Sequence, residues 1–341
     1  MFLQTEVFPM IVDRNEYNGI SAVRGEKGKM KSMTKFIKYC LCSLLAAFLF
    51  FEAAILGILL FPSGTFASSY QATIQDKEKL LRETNDPKII FVAGSSGAFG
   101  LNAPELEEAS GYKVVNLGLH AGFGFSFISE IAKANINPGD IVLLGYEYNW
   151  TEEDAFTEIG ADLVMSGIDD KISMYRYVLP SQWKSVIGYL FSYAAQKNEF
   201  EGMDGVYSRS GFSDNGNQMI VERTETYVPK PENEHTVEPD ISEPSKQYLL
   251  KLRQYIESKG ASVYFVQAPY AVSTTKNQQD LLLMVQNEES EIGIPYLSDP
   301  IAYGFPDDLM WDTTFHCNSK GEEIRTKLLI RDLKKSRVIK K

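Results

Sequence analysis

Cysteine is scarce in this chain: three in 341 residues, with Cys40 and Cys42 inside an apolar run and Cys317 far from both. No CxxC pair and no Cys/His ligand spacing exists, which leaves no basis for a disulfide framework or a zinc site. That scarcity fits an exported bacterial protein and a cytosolic one equally. Histidine is equally rare, with only His120, His235 and His316, so candidates for a general base are few. Positive charge is in deficit. The net charge of −11 argues against nucleic acid as a partner. A phosphate loop is missing too, because Gly94-Ser95-Ser96-Gly97 has no following GK[ST]. No internal repeat is visible. What is plentiful is apolar surface: 44% hydrophobic and 12% aromatic residues imply a sizeable core and exclude overall disorder.

The charge is unevenly placed. Residues 1–62 hold seven Lys/Arg and five Asp/Glu, leaving 27 basic and 40 acidic residues for 63–341, a balance of −13 there. Residues 1–35 are polar without a clear period and are expected to be disordered and cytoplasmic. Met30 and Met33 offer later starts. The stretch 36–62 is expected to cross the membrane: Tyr39–Pro62 carries a single charge, Glu52, over about 24 residues, enough for a ~30 Å hydrocarbon core. The rival reading is a cleavable signal peptide, since Thr65-Phe66-Ala67 loosely resembles a cleavage site. The apolar run exceeds the usual length of such peptides, which favours an uncleaved anchor. Lys27, Lys29, Lys31, Lys35 and Lys38 precede it, so the positive-inside rule puts the N-terminus in the cytoplasm and the remainder outside. Residues 63–85 are expected to form a helical stalk.

From residue 86 an α/β rhythm begins. Strands are expected at Lys88–Ala93, Lys113–Asn116, Ile141–Leu144 and Ser262–Gln267, with a short last one at Tyr296–Leu297. Helices are expected at 102–110, 125–134, 245–259, 278–291 and 319–333, the last marked by the capping-box spacing of Ser319-Lys320-Gly321-Glu322. Alternation of this kind implies a parallel sheet with right-handed crossovers. Residues 151–240 break the rhythm with aromatic-rich stretches, a Gly/Asn/Ser-rich segment at 202–217 and a Pro/Glu loop at 228–244. They read as an insertion over one sheet edge, serving either as a lid or partner surface or as extra packing.

Two stretches carry the chemistry. In Lys88–Gly100 a strand runs into a turn of small residues and then a helix, the geometry that lifts a serine hydroxyl above the C-terminal edge of a parallel sheet. Backbone N–H groups at such a turn can stabilise an oxyanion. In Asp308–Gly321, Asp312 and His316 lie in one loop before the last helix, where a carboxylate can hold a histidine in the tautomer that activates a serine. His120 follows the second strand and either lines the site or serves as base. His235 sits in the Pro/Glu loop and is a poor candidate. Asn116, Glu130, Asp140 and Asp154 have no metal-ligand spacing, so no metal or cofactor is expected. Trp150, Trp183 and Trp311 read as packing residues, with Trp311, beside Asp312, the one placed to floor a sugar subsite.

These blocks come in a familiar order: GSS after the first strand, NLGLHAG after the second, GYEYN ending the third, and DTTFHCNSKG before the last helix. The chain resembles the SGNH (GDSL-like) hydrolase superfamily, most of all its membrane-anchored bacterial branch, which includes the D-alanyl transfer protein of teichoic acid synthesis and the alginate O-acetylation proteins. The likeness covers roughly 86–150 and 245–335. It implies a flavodoxin-like three-layer α/β sandwich over 86–335, behind one N-terminal transmembrane helix. It also implies Ser96 as nucleophile, His316 as base and Asp312 as its carboxylate, and oxyanion donors at the backbone of Ser96 and of Gly122 or a neighbour. Asp312 and His316 stand one residue further apart than the family's Asp-x-x-His. The family's third-block asparagine is missing, with Glu147 in its place and Asn149 the substitute two residues on. A carboxylate beside an oxyanion opposes catalysis, so Glu147 is expected to point elsewhere or to bind substrate; His120 and Trp311 are expected to bind substrate.

The first expectation is thus an extracytoplasmic serine esterase or O-acyltransferase acting on cell-surface polysaccharide or lipid-linked substrates, with a multi-spanning acyl-donor membrane protein as partner. The second is a non-catalytic glycan-holding or scaffolding module, favoured by the missing asparagine and the stretched Asp–His spacing. A flavodoxin-like nucleotide-binding domain is a poorer third.

Overall fold

A computed structural model describes residues 15–60, 66–197 and 205–340 of the protein. It divides at Ile58/Leu59 into two compact units. The first is built on α1 (Asn15–Leu60), within which Ser32–Gly57 is long and apolar enough to cross a membrane, at a mean hydropathy of 2.2. The expected disorder at 1–35 is corrected in part. Residues 15–35 belong to α1, because a helix already nucleated by the apolar span gains one hydrogen bond per residue as it extends. Residues 1–14, 61 and 62 lie outside the described ones.

The second unit begins with α2 (Thr73–Glu83), then β1 (Lys88–Val92), α3 (Ala103–Ser110), β2 (Lys113–Asn116), α4 (Phe125–Ala132) and β3 (Ile141–Leu144). The inserted region contributes α5 (Ala161–Ile168) and α6 (Trp183–Gln196). The rhythm resumes with α7 (Glu243–Ser258), β4 (Ser262–Phe265), α8 (Asp280–Glu291) and α9 (Ser319–Lys335). The strands form one parallel sheet in the order β2-β1-β3-β4. Tyr296 adds a single parallel bridge to Phe265 beyond β4, in place of the short strand expected there.

The two central strands, KIIFV and IVLL, are apolar throughout their interiors because both faces of the sheet are covered. Ile89, Phe91, Val114 and Leu143 pack with Leu106 of α3 and Leu329 and Leu333 of α9 on one face. Helices α2, α4 and α7 contact β2, β1 and β4. The result is a three-layer α/β fold in which β1 and β3 part the crossovers, and the C-terminal ends of those two strands are where such sheets place ligands.

The stalk expected at 63–85 is not a stalk over its described part. Tyr70, Ala72, Ile74 and Leu81 are buried, and Lys77 donates to the Asn116 carbonyl at 2.8 Å. Apolar residues at Ile74 and Leu81, one heptad apart, give this helix a side to bury. The insertion meets the same region through an antiparallel bridge between Ser69 and Ser208 and the Arg209–Asp76 ion pair. Asn217 closes the free edge of β2, donating to the Val114 carbonyl and accepting from the Asn116 N–H, each at 2.8 Å.

Candidate active site

β1 ends at Val92, and residues 95–98 form a single helical turn. Every residue from Lys88 to Leu101 is buried except Ser95, which is partly exposed. Ser96 is fully enclosed. Its Oγ is 3.5 Å from the Gly145 carbonyl, and its N–H donates to Glu147 Oε1 at 2.8 Å. Of the two expectations for Glu147, pointing elsewhere and binding substrate, the first is corrected: its carboxylate is seated on the Ser96 N–H, the donor expected for an oxyanion. Gly94 makes room for it, since a Cβ there would lie 2.5 Å from Glu147 Oε2. Glu147 Oε2 is buried and has no hydrogen-bond partner among the described residues.

The histidine loop is closed by an antiparallel bridge from Met310 to Cys317 and by Trp311 N–H donating to the His316 carbonyl at 2.8 Å. Within it Asp312 Oδ1 and His316 Nδ1 are 2.7 Å apart, so the extra residue between them is absorbed by the turn. A carboxylate on Nδ1 places the proton there and leaves the Nε2 lone pair free to accept one. Burial alone pushes the Asp312 carboxyl up, but the hydrogen bond and charge of His316 and the Tyr207 hydroxyl together bring it below the usual range. Serine turn and histidine loop meet through Phe99, whose ring centroid is 4.4 Å from that of His316. Among the described residues no hydrogen bond joins Ser96 Oγ to His316.

The other expected site residues divide. His120 Nδ1 accepts the Gly122 N–H at 2.9 Å, so that N–H is already engaged and Gly122 is corrected as a free oxyanion donor. His120 is held below its usual pKa, by burial first and then by the charge of His316 nearby. Asn149 lies on the turn Tyr148–Thr151 with its buried Oδ1 unpartnered. Trp311 is partly exposed, stacks on Tyr207 at 5.5 Å and donates its indole N–H to Glu225 at 3.1 Å. His235 is exposed on a two-residue strand. Among the described residues no cluster of His, Cys, Asp and Glu is arranged to hold a metal.

Four residues of the site escaped the sequence reading. Tyr207, from the insertion, donates to Asp312 Oδ2 at 2.5 Å. Arg223, also inserted, pairs with Glu322 and donates to the Cys317 carbonyl at 3.2 Å, fastening the histidine loop. Tyr70 and Phe99 stack on each other at 5.9 Å, and Tyr70 lies edge-on to His120 and Tyr207. Together with Trp311 these rings roof the serine turn. Phe99 lies inside the stretch already singled out around the serine turn, whereas Tyr70 and Tyr207 come from segments read as a stalk and as a Gly/Asn/Ser-rich loop, which carry no signal for a site.

No family model matches the chain, and no curated protein matches it. Among solved structures it is similar to the crystal structure of YxiM from Bacillus subtilis, at 13% identity and a TM-score of 0.36, over 74% of this chain and 57% of that one. The chain thus spans less than two thirds of that protein's length.

Proposed function

We propose that this protein is a serine acyl-transfer enzyme, an esterase or O-acyltransferase, held at the membrane by its N-terminal helix with residues 63–341 outside the cytoplasm. The observation that carries the reading is the Asp312–His316 pair at 2.7 Å, packed through Phe99 against the serine turn at the end of β1. Ser96 Oγ would attack the acyl carbonyl while His316 Nε2 takes its proton. His316 would pass that proton to the leaving alkoxide, and water or a sugar hydroxyl would then receive the acyl group from Ser96. Asp312, supported by Tyr207, holds the imidazole and stabilises its charged form. The Ser96 N–H can receive the oxyanion once the Glu147 carboxylate withdraws, so the arrangement is a resting one. Trp311 and His120 flank the dyad and are the residues offered to a sugar. The membrane span favours surface polysaccharide or lipid-linked acyl esters as substrates, with a multi-spanning acyl donor as partner.

One observation favours a second reading. A carboxylate on the oxyanion donor and a fully enclosed Ser96 suit a non-catalytic module that holds a glycan. A fluorophosphonate probe separates the two. The enzyme is labelled covalently, and Ser96→Ala and His316→Ala each abolish labelling while Ser95→Ala keeps it. Folded protein that takes no label supports the module, and labelling lost only in Ser95→Ala moves the nucleophile to the exposed neighbour.

A further inference from the structure

Helix α9 buries a cation that has no acceptor. Arg325 is fully enclosed, and its guanidinium carbon lies over the Phe91 ring, 4.7 Å from the centroid. All three guanidinium nitrogens are without a hydrogen-bond partner among the described residues. A ring face attracts a guanidinium but accepts none of its hydrogen bonds in the way an oxygen does. A buried charge left unpaired is costly, so the surroundings of Arg325 have to be searched for its counterpart. Burial lowers the Arg325 pKa, and the groups whose charge acts against this are Tyr303, Cys317, Glu322 and Glu147. Burial pushes the Tyr303 hydroxyl and the Cys317 thiol up, so both are neutral at neutral pH. Two carboxylates remain. Both oxygens of Glu322 are engaged: Oε1 accepts from Gln218 at 2.7 Å and Oε2 pairs with Arg223. Glu147 has Oε1 on the Ser96 N–H, while its buried Oε2 has no hydrogen-bond partner among the described residues. Phe91 links the two orphans in space. Arg325 lies on its ring, and a Cβ on Gly145, two residues before Glu147, would come within 2.6 Å of the ring's Cζ.

We infer that Arg325 is a positioning residue for the serine turn: it receives the Glu147 carboxylate when that group leaves the Ser96 N–H. Glu147 then has two seats. In the resting seat it covers the serine N–H and leaves the guanidinium unpaired. In the working seat it pairs with the guanidinium and uncovers the donor that an oxyanion needs. Negative charge growing on the substrate oxygen repels Glu147 from the first seat and so favours the second. This rests on the acyl-transfer reading of Ser96. The test is a double-mutant cycle on the rate of fluorophosphonate labelling of the full-length protein. Arg325→Met removes the second seat and is expected to slow labelling about tenfold to a hundredfold, the range of a hydrogen bond to a charged group. Its thermal midpoint should equal or exceed that of wild type, because an unpaired buried charge has been replaced by apolar volume. Arg325→Lys, which keeps the charge, should recover most of the rate. In the Glu147→Asn background no carboxylate needs a second seat, so adding Arg325→Met should leave the rate within about twofold, the ordinary scatter of such cycles. Equal slowing in both backgrounds would make Arg325 a structural residue only and overturns the inference. An unchanged rate in Arg325→Met overturns it as well, and so does a faster one, since the cation would then be holding Glu147 over the serine. If Arg325→Met does not melt cooperatively, Arg325→Gln takes its place in the cycle and is judged by the same outcomes. Wild type and Glu147→Asn that both fold and take no label overturn the acyl-transfer reading itself, and the inference with it.

Discussion

At the scale of single residues, the site turns on Glu147. Its Oε1 binds the Ser96 N–H at 2.8 Å and its Oε2 is buried without a partner. A negative charge there competes with the oxyanion that an acyl-transfer step must stabilise, whereas a neutral side chain with an N–H to offer would add a donor. Glu147→Asn is therefore expected to raise the second-order rate of fluorophosphonate labelling on the order of a hundredfold, the size that one oxyanion-hole donor supplies. An unchanged or lower rate would show that the carboxylate is not in the way. Tyr207 acts at one remove. Its hydroxyl donates to Asp312, so Tyr207→Phe, which keeps the ring between Tyr70 and Trp311, should slow labelling about tenfold, matching the ~1.5 kcal/mol of a hydrogen bond to a charged group. Labelling as fast as wild type would remove Tyr207 from the catalytic chain. Asp312 and His316 were legible in the sequence because their loop precedes a well-marked helix and histidines are few. Tyr70, Tyr207 and Arg223 were not, because each comes from a segment without periodicity and reaches the site only through tertiary packing. Glu147 was found, but its place on the Ser96 N–H was not: the electrostatic objection argued against that position, and the structure holds the carboxylate there.

At the scale of elements, the sheet strands were readable because strands covered on both faces leave uninterrupted apolar runs, and IVLL or KVVN bounded by turn residues has no competing period. Helix starts were readable to within a residue or two, but not always by the right cap. The α9 N-cap is Asn318, whose Oδ1 accepts the Gly321 N–H at 3.0 Å, while Glu322 turns to Arg223 and Gln218 instead of closing a capping box. Asn318 Nδ2 also donates to the Asp308 carbonyl at 2.8 Å, bracing the loop that holds His316. Asn318→Ala should cost about 2 kcal/mol in thermal unfolding and reduce labelling as well. Asn318→Asp, which keeps the cap but loses the donor, should recover most of the stability and less of the labelling. Equal recovery of both would mean that the loop does not depend on this side chain. The C-terminal turn of α8 carries a different liability. Glu288 is buried with Oε2 unpartnered, and burial pushes its carboxyl up to about 8. Because the folded value lies above the unfolded one, stability is full below pH ~4.5 and falls as pH rises toward 8, by on the order of 3 kcal/mol at pH 7. Glu288→Gln, which keeps an acceptor for the Ile294 N–H, should remove that slope. Thermal midpoints that separate from wild type progressively between pH 5 and 8 would show it, and parallel curves would refute it.

At the scale of the whole molecule, the separation of anchor, stalk and domain expected from sequence dissolves at the stalk. A polar segment next to a membrane span reads as a spacer, because a short helix with only Ile74 and Leu81 to bury gives little periodic signal. In the fold it is a wall of the site. Tyr70 donates to the Leu119 carbonyl and Lys77 to that of Asn116, so both ends of the segment that leads from β2 to His120 are held from the N-terminal side. Lys77 carries the cost, since burial lowers its ammonium to about 7. The insertion depends on the same wall through Arg209, which binds Asp76 with two hydrogen bonds. Tyr70, Ala72, Ile74 and Leu81 are at most 3% exposed, and each large apolar side chain withdrawn from the core costs about 1.5–3 kcal/mol. Their joint loss approaches the 5–15 kcal/mol that holds a typical domain together. A chain beginning at Ser63 is thus expected to express as soluble protein with one cooperative thermal transition. A chain beginning at Asp86, the expected domain boundary, should aggregate or unfold without cooperativity. If the shorter chain instead melts cooperatively and takes the fluorophosphonate label at the same rate, residues 66–83 are a spacer after all and the aromatic roof over the serine turn does not need Tyr70.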